Sequence, residues 1–343
     1  MEDFEHGATD SGAEPLADFS TCAHPFGPCP EVLAAVLLAD RTRYPDPAYA
    51  RLREQLGSRY GVEPDRIVPG AGASELILRL VRNCTGDVLA WTPSFVEYRR
   101  AAQVSGRRFL SAREPTPWLD RVPTNGTAFL CQPNNPDGHV HSLEFLEAAA
   151  ATCRWKRCRL VLDLAYADFC LNAPPIPTEC DILLAPNKMF GLTGVRAGLV
   201  VSSDRTFAES LRLAAPAWSV GAEGVAFLAA ASEPSAMVWF QSTLPDIWSA
   251  TDSLRCLLEG EGWEIAPSSA HYFCAKPPAI AGFGSGADLS SEWSHRLRLE
   301  GIRVRDLSNV GLPGWLRLSA RPDREMVCLA SALGSSPERP FGT

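Results

Sequence analysis

The sequence predicts an α/β protein whose main sheet is mostly parallel. Short apolar runs of strand length recur along the chain, namely DVLAW (87–91), TAFLC (127–131), RLVLD (159–163), DILLA (181–185) and RAGLVV (196–201). Amphipathic segments of helix length, such as SELILRLVRN and SLEFLEAAAATCRW, lie between several of these runs. This alternation is typical of parallel sheets, in which ligands bind at the strand ends.

The pattern changes after about residue 240. A long helical segment, DIWSATDSLRCLLEGEG, precedes the short strands WEIAP, YFCAK, IRVRD and WLRLS, which surround another helix. This order predicts a smaller α+β domain at the C-terminus. We therefore expect an N-terminal arm with a small-domain segment (1–35), a large ligand-binding domain (36–240) and a small domain (241–343).

Composition excludes several classes of function. The net charge of -8 and the pI of about 5.4 give no electrostatic reason to expect nucleic acid or a membrane surface as a partner. The acidic start of the chain lacks the features of a secretory signal, which predicts a cytoplasmic protein. The eleven cysteines include no C-x-x-C pair, so neither a disulfide framework nor a zinc knuckle is indicated.

Lysine is rare in this chain, which has three lysines among its 32 basic residues. Arginine keeps its charge, whereas a buried lysine beside another cation becomes a neutral amine and hence a nucleophile. Lys188 lies in LLAPNKMFGLTGVRAGLVVS, where two glycines and Arg196 follow it. An exposed lysine is the simpler interpretation of Lys188 alone, so its neighbours must decide between the two.

Three further segments supply polar groups at predicted strand ends. PGAGASELILRL is a glycine-rich turn before a helix, which suits either a phosphate or an ordinary helix cap. LCQPNNPDGHV places Asn135 in a turn. His139 in this segment and His141 just after it suggest a metal site, but an ordinary polar turn is the better interpretation, so we predict no metal site. RLVLDLAYADF ends a strand at Asp163 and places Tyr166 three residues later.

Together these segments contain the parts that hold pyridoxal 5'-phosphate. They offer a phosphate cradle, an asparagine that faces the ring, an aspartate for the pyridine nitrogen, and a lysine with an arginine neighbour. The joint pattern is much more specific than any one segment, and it indicates an enzyme.

The chain resembles the fold type I pyridoxal-phosphate enzymes, in the branch of histidinol-phosphate aminotransferase and threonine-phosphate decarboxylase. DFSTCAHPFGP and RYPDPAYARLREQL match segments of that branch. Four features resemble the decarboxylase more: EHGA near the start, TPSFVEYRRAAQVSG, AWSV (217–220) and the spacing of Arg305 to Arg317. The resemblance covers nearly the whole chain. It implies a large domain with a mostly parallel sheet of the seven-stranded type and a smaller α+β domain.

The resemblance also implies roles for residues at the cofactor ring. Lys188 would bind the cofactor covalently as a Schiff base and then move protons at the substrate. Asp163 would keep the pyridine nitrogen protonated, so that the ring accepts electrons. Tyr166 and Asn135 would bind the 3'-oxygen, and Phe95 would stack on the ring face.

Other residues would bind the cofactor's phosphate. The resemblance implies that the amides of Ala73 and Ser74 bind it, with Arg196 as the counter-charge. Tyr44 would reach it from the partner subunit, which implies a homodimer with shared active sites.

The substrate site is implied in the same way. Arg317 resembles the clamp for a substrate carboxylate, which suits a planar donor with two prongs. Arg305 and His6 of the N-terminal arm resemble a site for the substrate's own phosphate. Cys22 and Asn135 would also line the substrate pocket. Without the resemblance, the two arginines would be expected to be solvated charges.

The chain departs from the family pattern at five positions. Ala185 stands where the family usually has serine, and Leu164 replaces a carboxylate. Asp137 replaces a common threonine, and Cys22 and His24 replace asparagines near the substrate. The cofactor residues are present, whereas the substrate pocket is altered.

These residues leave three functions open. The first is a lyase that resembles threonine-phosphate decarboxylase and makes an aminopropanol phosphate for the cobamide side chain. The second is an aminotransferase for a phosphorylated or polar amino acid, such as histidinol phosphate. The third is a silent binding protein or a repurposed pathway enzyme on the same scaffold, which the loss of serine at position 185 suggests.

Overall fold

A computed structural model of the protein describes residues 12–280 and 286–334. Its strands and helices are numbered in chain order. The largest sheet has seven strands in the order β2-β8-β7-β6-β5-β3-β4. They are β2 (Ile67–Gly70), β3 (Val88–Trp91), β4 (Phe109–Ala112), β5 (Thr127–Cys131), β6 (Arg159–Asp163), β7 (Asp181–Leu184) and β8 (Gly198–Val201).

The seven-stranded sheet is parallel except at β8, which runs antiparallel to both β2 and β7. Alternate residues of one strand enter different apolar clusters, as Val88 and Leu89 of β3 do, so both faces are covered. The helices that precede, connect and cover these strands are α1 (Pro30–Leu37), α2 (Ala50–Tyr60), α3 (Ala73–Arg82), α4 (Val96–Val104), α5 (Pro115–Asp120), α6 (Leu143–Trp155), α7 (Arg205–Leu213) and α8 (Ala222–Ala231). The predicted α/β fold with a mostly parallel sheet is confirmed.

The C-terminal part begins within α9 (Pro234–Gly260), a helix of 27 residues. Four antiparallel strands follow in the order β12-β13-β10-β9, and a two-stranded parallel sheet joins β1 to β11. These strands and their helices are β1 (Ala17–Asp18), β9 (Glu264–Ile265), β10 (Tyr272–Lys276), α10 (Ala287–Leu299), β11 (Ile302–Arg303), β12 (Arg305–Asp306), β13 (Leu316–Ser319) and α11 (Asp323–Ala332). The expected division at residue 240 falls inside α9.

One predicted strand, IRVRD, is two short strands in two different sheets. Ile302 pairs with Ala17, whereas Arg305 pairs with Arg317. The N-terminal segment therefore adds a strand to the C-terminal part.

The segments that carry the candidate site residues lie at one edge of the seven-stranded sheet. The parallel strands end there, at Cys131 of β5 and Asp163 of β6. Because β8 is antiparallel, its first residue, Gly198, lies at the same edge and pairs with Gly70 at the end of β2. The segment with Lys188 connects β7 to β8 and so crosses this edge.

No helix in the described ranges has the length and apolar character needed to cross a membrane.

Burial of His24 predicts a loss of stability in acid. His24 is 3% exposed, and burial lowers its pKa to about 4. In the unfolded chain the imidazole binds a proton at about pH 6.5, so the free energy of unfolding falls as the pH falls through this window. Replacing His24 with Asn should remove about 2 kcal/mol of the loss that the wild type shows between about pH 7 and about pH 5.

The measurement is urea unfolding of the cofactor-free protein at the two pH values. An unchanged pH dependence in the His24 variant would contradict the prediction.

Candidate active site

A cavity of about 440 Å³ opens at the edge of the sheet where the parallel strands end. It brings together most of the residues that the sequence nominates. Those that line it are Cys22, Ala73, Ser74, Phe95, Asn135, Asp163, Tyr166, Lys188, Arg196, Arg305 and Arg317.

The start of α3 forms one end of this site. Gly72 is the N-cap, with a φ of 87°, and no side chain caps the helix. The amides of Ala73 and Ser74 therefore have no acceptor within the helix and can bind an anion. Arg196 reaches the same point, since a Cβ atom on Gly72 would lie 2.7 Å from its Nη2 atom.

A partly buried ion pair holds the turn that precedes α3. Oε2 of Glu75 accepts a hydrogen bond from the amide of Ala71 at 3.0 Å. Arg79, which is buried, binds both carboxylate oxygens of Glu75, at 2.7 and 2.5 Å. Arg79 also donates to the carbonyl of Pro69. These contacts fix the backbone that presents the free amides.

Asp163 is a buried carboxylate at the C-terminal end of β6. Its Oδ1 accepts a hydrogen bond from the amide of Ala165 at 3.0 Å, and its Oδ2 accepts one from the hydroxyl of Tyr98 at 2.7 Å. Burial raises the pKa of Asp163, whereas these two donors and the charge of Lys188 lower it. A cationic N–H group in the cavity would find a positioned acceptor here.

Lys188 lines the cavity with little contact to other polar groups. Its Nζ atom donates to Oδ1 of Asn187 at 3.4 Å, a long hydrogen bond. Burial, and after it the charge of Arg196, lower the pKa of Lys188 to about 8. A substantial fraction of the amine is therefore neutral near physiological pH, which suits a nucleophile.

Arg317 is a buried guanidinium group that bonds to neutral acceptors. Nη2 donates to the carbonyl of Ser20 at 2.5 Å, and Nη1 donates to Oδ1 of Asn135. Among the described residues no carboxylate pairs with Arg317. A buried cation without a counter-ion is costly, so this position favours an anionic ligand.

The remaining nominated residues of the cavity supply aromatic walls, a guanidinium group and a thiol. Phe95 and Tyr166 supply aromatic walls, and Tyr166 contacts Tyr272 edge-on at 5.0 Å between ring centroids. Arg305 donates to Oδ1 of Asn309 at 2.8 Å. Burial raises the pKa of the Cys22 thiol, so Cys22 presents a small neutral group to the cavity.

Two nominated residues remain to be considered. His6 falls outside the described residues. Tyr44 is 79% exposed and stacks on Trp218 at 4.5 Å between ring centroids, away from the residues that line the cavity of its own chain.

The residues that depart from the family pattern lie in different places. The side chain of His24 is buried against α9, bonds to Thr243 at 2.8 Å and is not among the residues that line the cavity, so its place near the substrate stays a prediction. Ala185 and Leu164 line a second, small cavity of about 60 Å³ rather than the main one. Asp137 closes its own turn by accepting from Nδ2 of Asn134 at 2.7 Å.

The histidines of the same turn are part of an aromatic cluster. His139 stacks on Trp91 at 5.5 Å, and His141 contacts Trp91 edge-on at 4.6 Å. Within residues 12–280 and 286–334, no group of three or more His, Cys, Asp or Glu side chains could hold a metal ion.

Sequence reasoning missed Tyr98 and Cys131. Tyr98 lies three residues after Phe95, a spacing that places both on one face of α4. Cys131 is the last residue of β5 and lies opposite Asp163 in the sheet. Tyr98 could have been found from its position one helical turn after Phe95. Cys131 could have been found by considering the last residue of every predicted strand.

The residues present fit pyridoxal 5'-phosphate. Free amides and Arg196 suit its phosphate, Asp163 suits its ring nitrogen, and the partly neutral Lys188 suits its aldehyde.

Comparison with known proteins agrees with this geometry. A family model described as aminotransferase class I and II matches residues 15–333. The chain is 28% identical to histidinol-phosphate aminotransferase of Lactiplantibacillus plantarum, with 90% of this chain and 88% of that protein covered. It is 32% identical to threonine-phosphate decarboxylase of Salmonella typhimurium, with 69% of this chain and 70% of that protein covered.

The fold is also similar to a solved structure. Histidinol-phosphate aminotransferase from Sinorhizobium meliloti, in complex with pyridoxal 5'-phosphate, superimposes with a TM-score of 0.82 at 23% identity. The match covers 93% of this chain and 90% of that chain.

Replacing Gly72 with Ala should weaken the binding of pyridoxal 5'-phosphate. The new Cβ would displace Arg196, and the φ of 87° would be strained. We expect the dissociation constant to rise about ten- to hundredfold. Fluorescence titration of the cofactor-free protein measures it.

Gly334 has the same φ of 87° and open space around it, so replacing it with Ala is the matched control. Equal losses of affinity in the two variants would show that general backbone strain, rather than contact with Arg196, is responsible.

Proposed function

The chain belongs to the aminotransferase class I and II family, and from that premise we propose that it decarboxylates L-threonine O-phosphate with pyridoxal 5'-phosphate as cofactor. The predicted family branch, the enzymatic nature of the protein and the cofactor are confirmed by these matches. An aminotransferase acting on a phosphorylated or polar amino acid is the second candidate.

In this proposal different residues of the cavity bind different parts of the cofactor. Ala73, Ser74 and Arg196 hold the phosphate. Asp163 would hold the ring nitrogen protonated, and Lys188 would bind the aldehyde carbon with release of water and would later move a proton at the substrate's α-carbon. When bound, the cofactor supplies an electron sink for the carbanion.

The ring is positioned by its remaining neighbours. Phe95 would lie against the ring face, and Tyr166 and Asn135 would donate to the 3'-oxygen. Asn135 also accepts from Arg317, so one amide connects the cofactor site to the substrate site.

The observation that carries the proposed substrate is the presence of two more guanidinium groups in the same cavity. Arg317 and Arg305 lie on neighbouring strands, where they pair across β12 and β13. Threonine phosphate carries both a carboxylate and a phosphate, so it offers one anion to each arginine. Arg317 would bind the carboxylate and Arg305 the phosphate, with Cys22 nearby in the same cavity.

A specific observation supports each candidate reaction. The decarboxylase relative has the higher identity, at 32%, whereas the aminotransferase relative at 28% matches a larger share of the chain, 90% against 69%. Histidinol phosphate carries no carboxylate, so in an aminotransferase Arg317 would bind the carboxylate of the amino donor instead.

We also propose that the protein works as a homodimer. The exposed Tyr44 and Trp218 form an aromatic pair at the surface, and Trp218 donates to the carbonyl of Pro45. In a dimer Tyr44 would reach the phosphate bound by the partner subunit.

Attachment of the cofactor should depend on pH through Lys188. Only the neutral amine attacks the aldehyde, and its pKa is about 8. The rate of attachment to the cofactor-free protein should therefore rise with pH and level off above about pH 8. Stopped-flow absorbance at a series of pH values measures it. Lys188→Ala should abolish attachment, and a rate that is independent of pH would contradict the low pKa.

The substrate is tested with the purified, cofactor-loaded protein. Incubation with L-threonine O-phosphate should release carbon dioxide and an aminopropanol phosphate. Arg305→Gln should raise KM for threonine phosphate about ten- to hundredfold, while the cofactor's absorbance stays unchanged.

Absence of both products would reject the decarboxylase. Formation of a keto acid from glutamate, together with the amine form of the cofactor, would favour the aminotransferase. Failure of Lys188 to attach the cofactor would reject both.

A further inference from the structure

Tyr98 is a buried tyrosine outside the cavity that contacts one of the cavity residues, Asp163. It is fully buried within α4 and does not line the cavity. Its hydroxyl lies 2.7 Å from Oδ2 of Asp163. An ionised carboxylate can only accept, so the single hydroxyl proton of Tyr98 is committed to Asp163.

The carboxylate of Asp163 is therefore held at two points. Tyr98 donates to Oδ2, and the amide of Ala165 donates to Oδ1 at 3.0 Å. Two donors on different oxygens fix the plane of the carboxylate, whereas one donor would leave it free to rotate. The fixed plane sets where a third donor, the ring nitrogen, can approach.

The same contact opposes the effect of burial. Burial raises the pKa of Asp163, and the hydrogen bond from Tyr98 is the largest influence that lowers it. The other titratable or charged groups that act on Asp163 or are acted on by it are Cys131 on β5, Tyr166 after β6 and Lys188 after β7. Of these, Lys188 favours the ionised carboxylate.

The ring of Tyr98 is held firmly enough to direct its hydroxyl. It stacks on Phe129 at 4.5 Å between centroids with an interplanar angle of 12°. It also contacts Phe95 edge-on at 5.9 Å. Tyr98 therefore contacts both Phe95, which is proposed to stack on the cofactor ring, and Asp163, which is proposed to bind the nitrogen of that ring.

We propose that Tyr98 is a positioning residue that keeps Asp163 ionised and orients its carboxylate toward the ring nitrogen of pyridoxal 5'-phosphate. This role does not depend on which reaction the enzyme catalyses.

Replacing Tyr98 with Phe tests the role, because Phe keeps the ring and its stacking and removes only the hydroxyl. Two NMR measurements read Asp163 and its partner directly. In the cofactor-free full chain with ¹³C-labelled aspartate carboxyls, the titration of Asp163 should move to higher pH. In the protein loaded with ¹⁵N-labelled cofactor, the ring nitrogen should lose its protonated chemical shift at a lower pH than in the wild type.

The catalytic rate of the Tyr98→Phe variant should fall as these two NMR titrations shift. We expect kcat to drop about ten- to hundredfold, the loss typical of a hydrogen bond to a charged group, with a smaller change in KM. In an Asp163→Asn background, Tyr98→Phe should cause little further loss. Tyr272→Phe is the matched control, because Tyr272 is equally buried and its hydroxyl donates to the carbonyl of Asn134 instead.

The proposal would be overturned if Tyr98→Phe leaves both NMR titrations in place, or if it causes the same fractional loss of kcat in the Asp163→Asn background. If the Phe variant does not fold, 3-fluorotyrosine at position 98 replaces it. Its more acidic hydroxyl is a stronger donor and should move the titration of Asp163 to lower pH. An unmoved titration there would overturn the proposal as well.

Discussion

The close approach of three backbone segments at one sheet edge determines the rest of the site. Gly198, at the start of β8, leaves room for Leu184 of β7 on one side and for the turn before α3 on the other. A Cβ atom at Gly198 would lie 2.9 Å from the carbonyl oxygen of Leu184 and 3.4 Å from the Cα atom of Gly72. Because the segments touch, Arg196 meets the free amides of α3, and Lys188 lies within the electrostatic reach of Arg196. The proximity of Lys188 to the proposed phosphate site is thus a consequence of one packing constraint.

The strands that the sequence predicts best are those buried on both faces. TAFLC and RLVLD match β5 and β6 residue for residue, since a continuous apolar run has one way to fit between two layers of helices. The predicted strand RAGLVV is two residues longer than β8, because Arg196 and Ala197 belong to the turn beside the start of α3. IRVRD divides between two sheets, because its first pair adds to a strand from the other end of the chain. No local pattern encodes such a distant partner.

The same reasoning explains which site residues could be found in advance. Polar residues at strand ends are visible in the sequence, and the structure gathers them around one cavity. The orientation of His24 is not visible, because it depends on Thr243, which is 219 residues away. Tyr98 escapes notice because it resembles an ordinary core residue until its partner is known. Ala185 and Leu164 share a small void, so the loss of two polar groups there alters one local volume rather than the main cavity.

Arg317 has a consequence for how experiments on this protein should be interpreted. Its guanidinium group bonds to Ser20 near the start of the chain and to Asn135 in the loop after β5, while its backbone belongs to β13. One side chain therefore fastens three regions that are far apart in sequence. Variants of Arg317 should unfold more readily, so their kinetics would combine this effect with the loss of the proposed contact to the substrate. Arg305 lies in the same cavity and donates to Asn309, four residues along the chain.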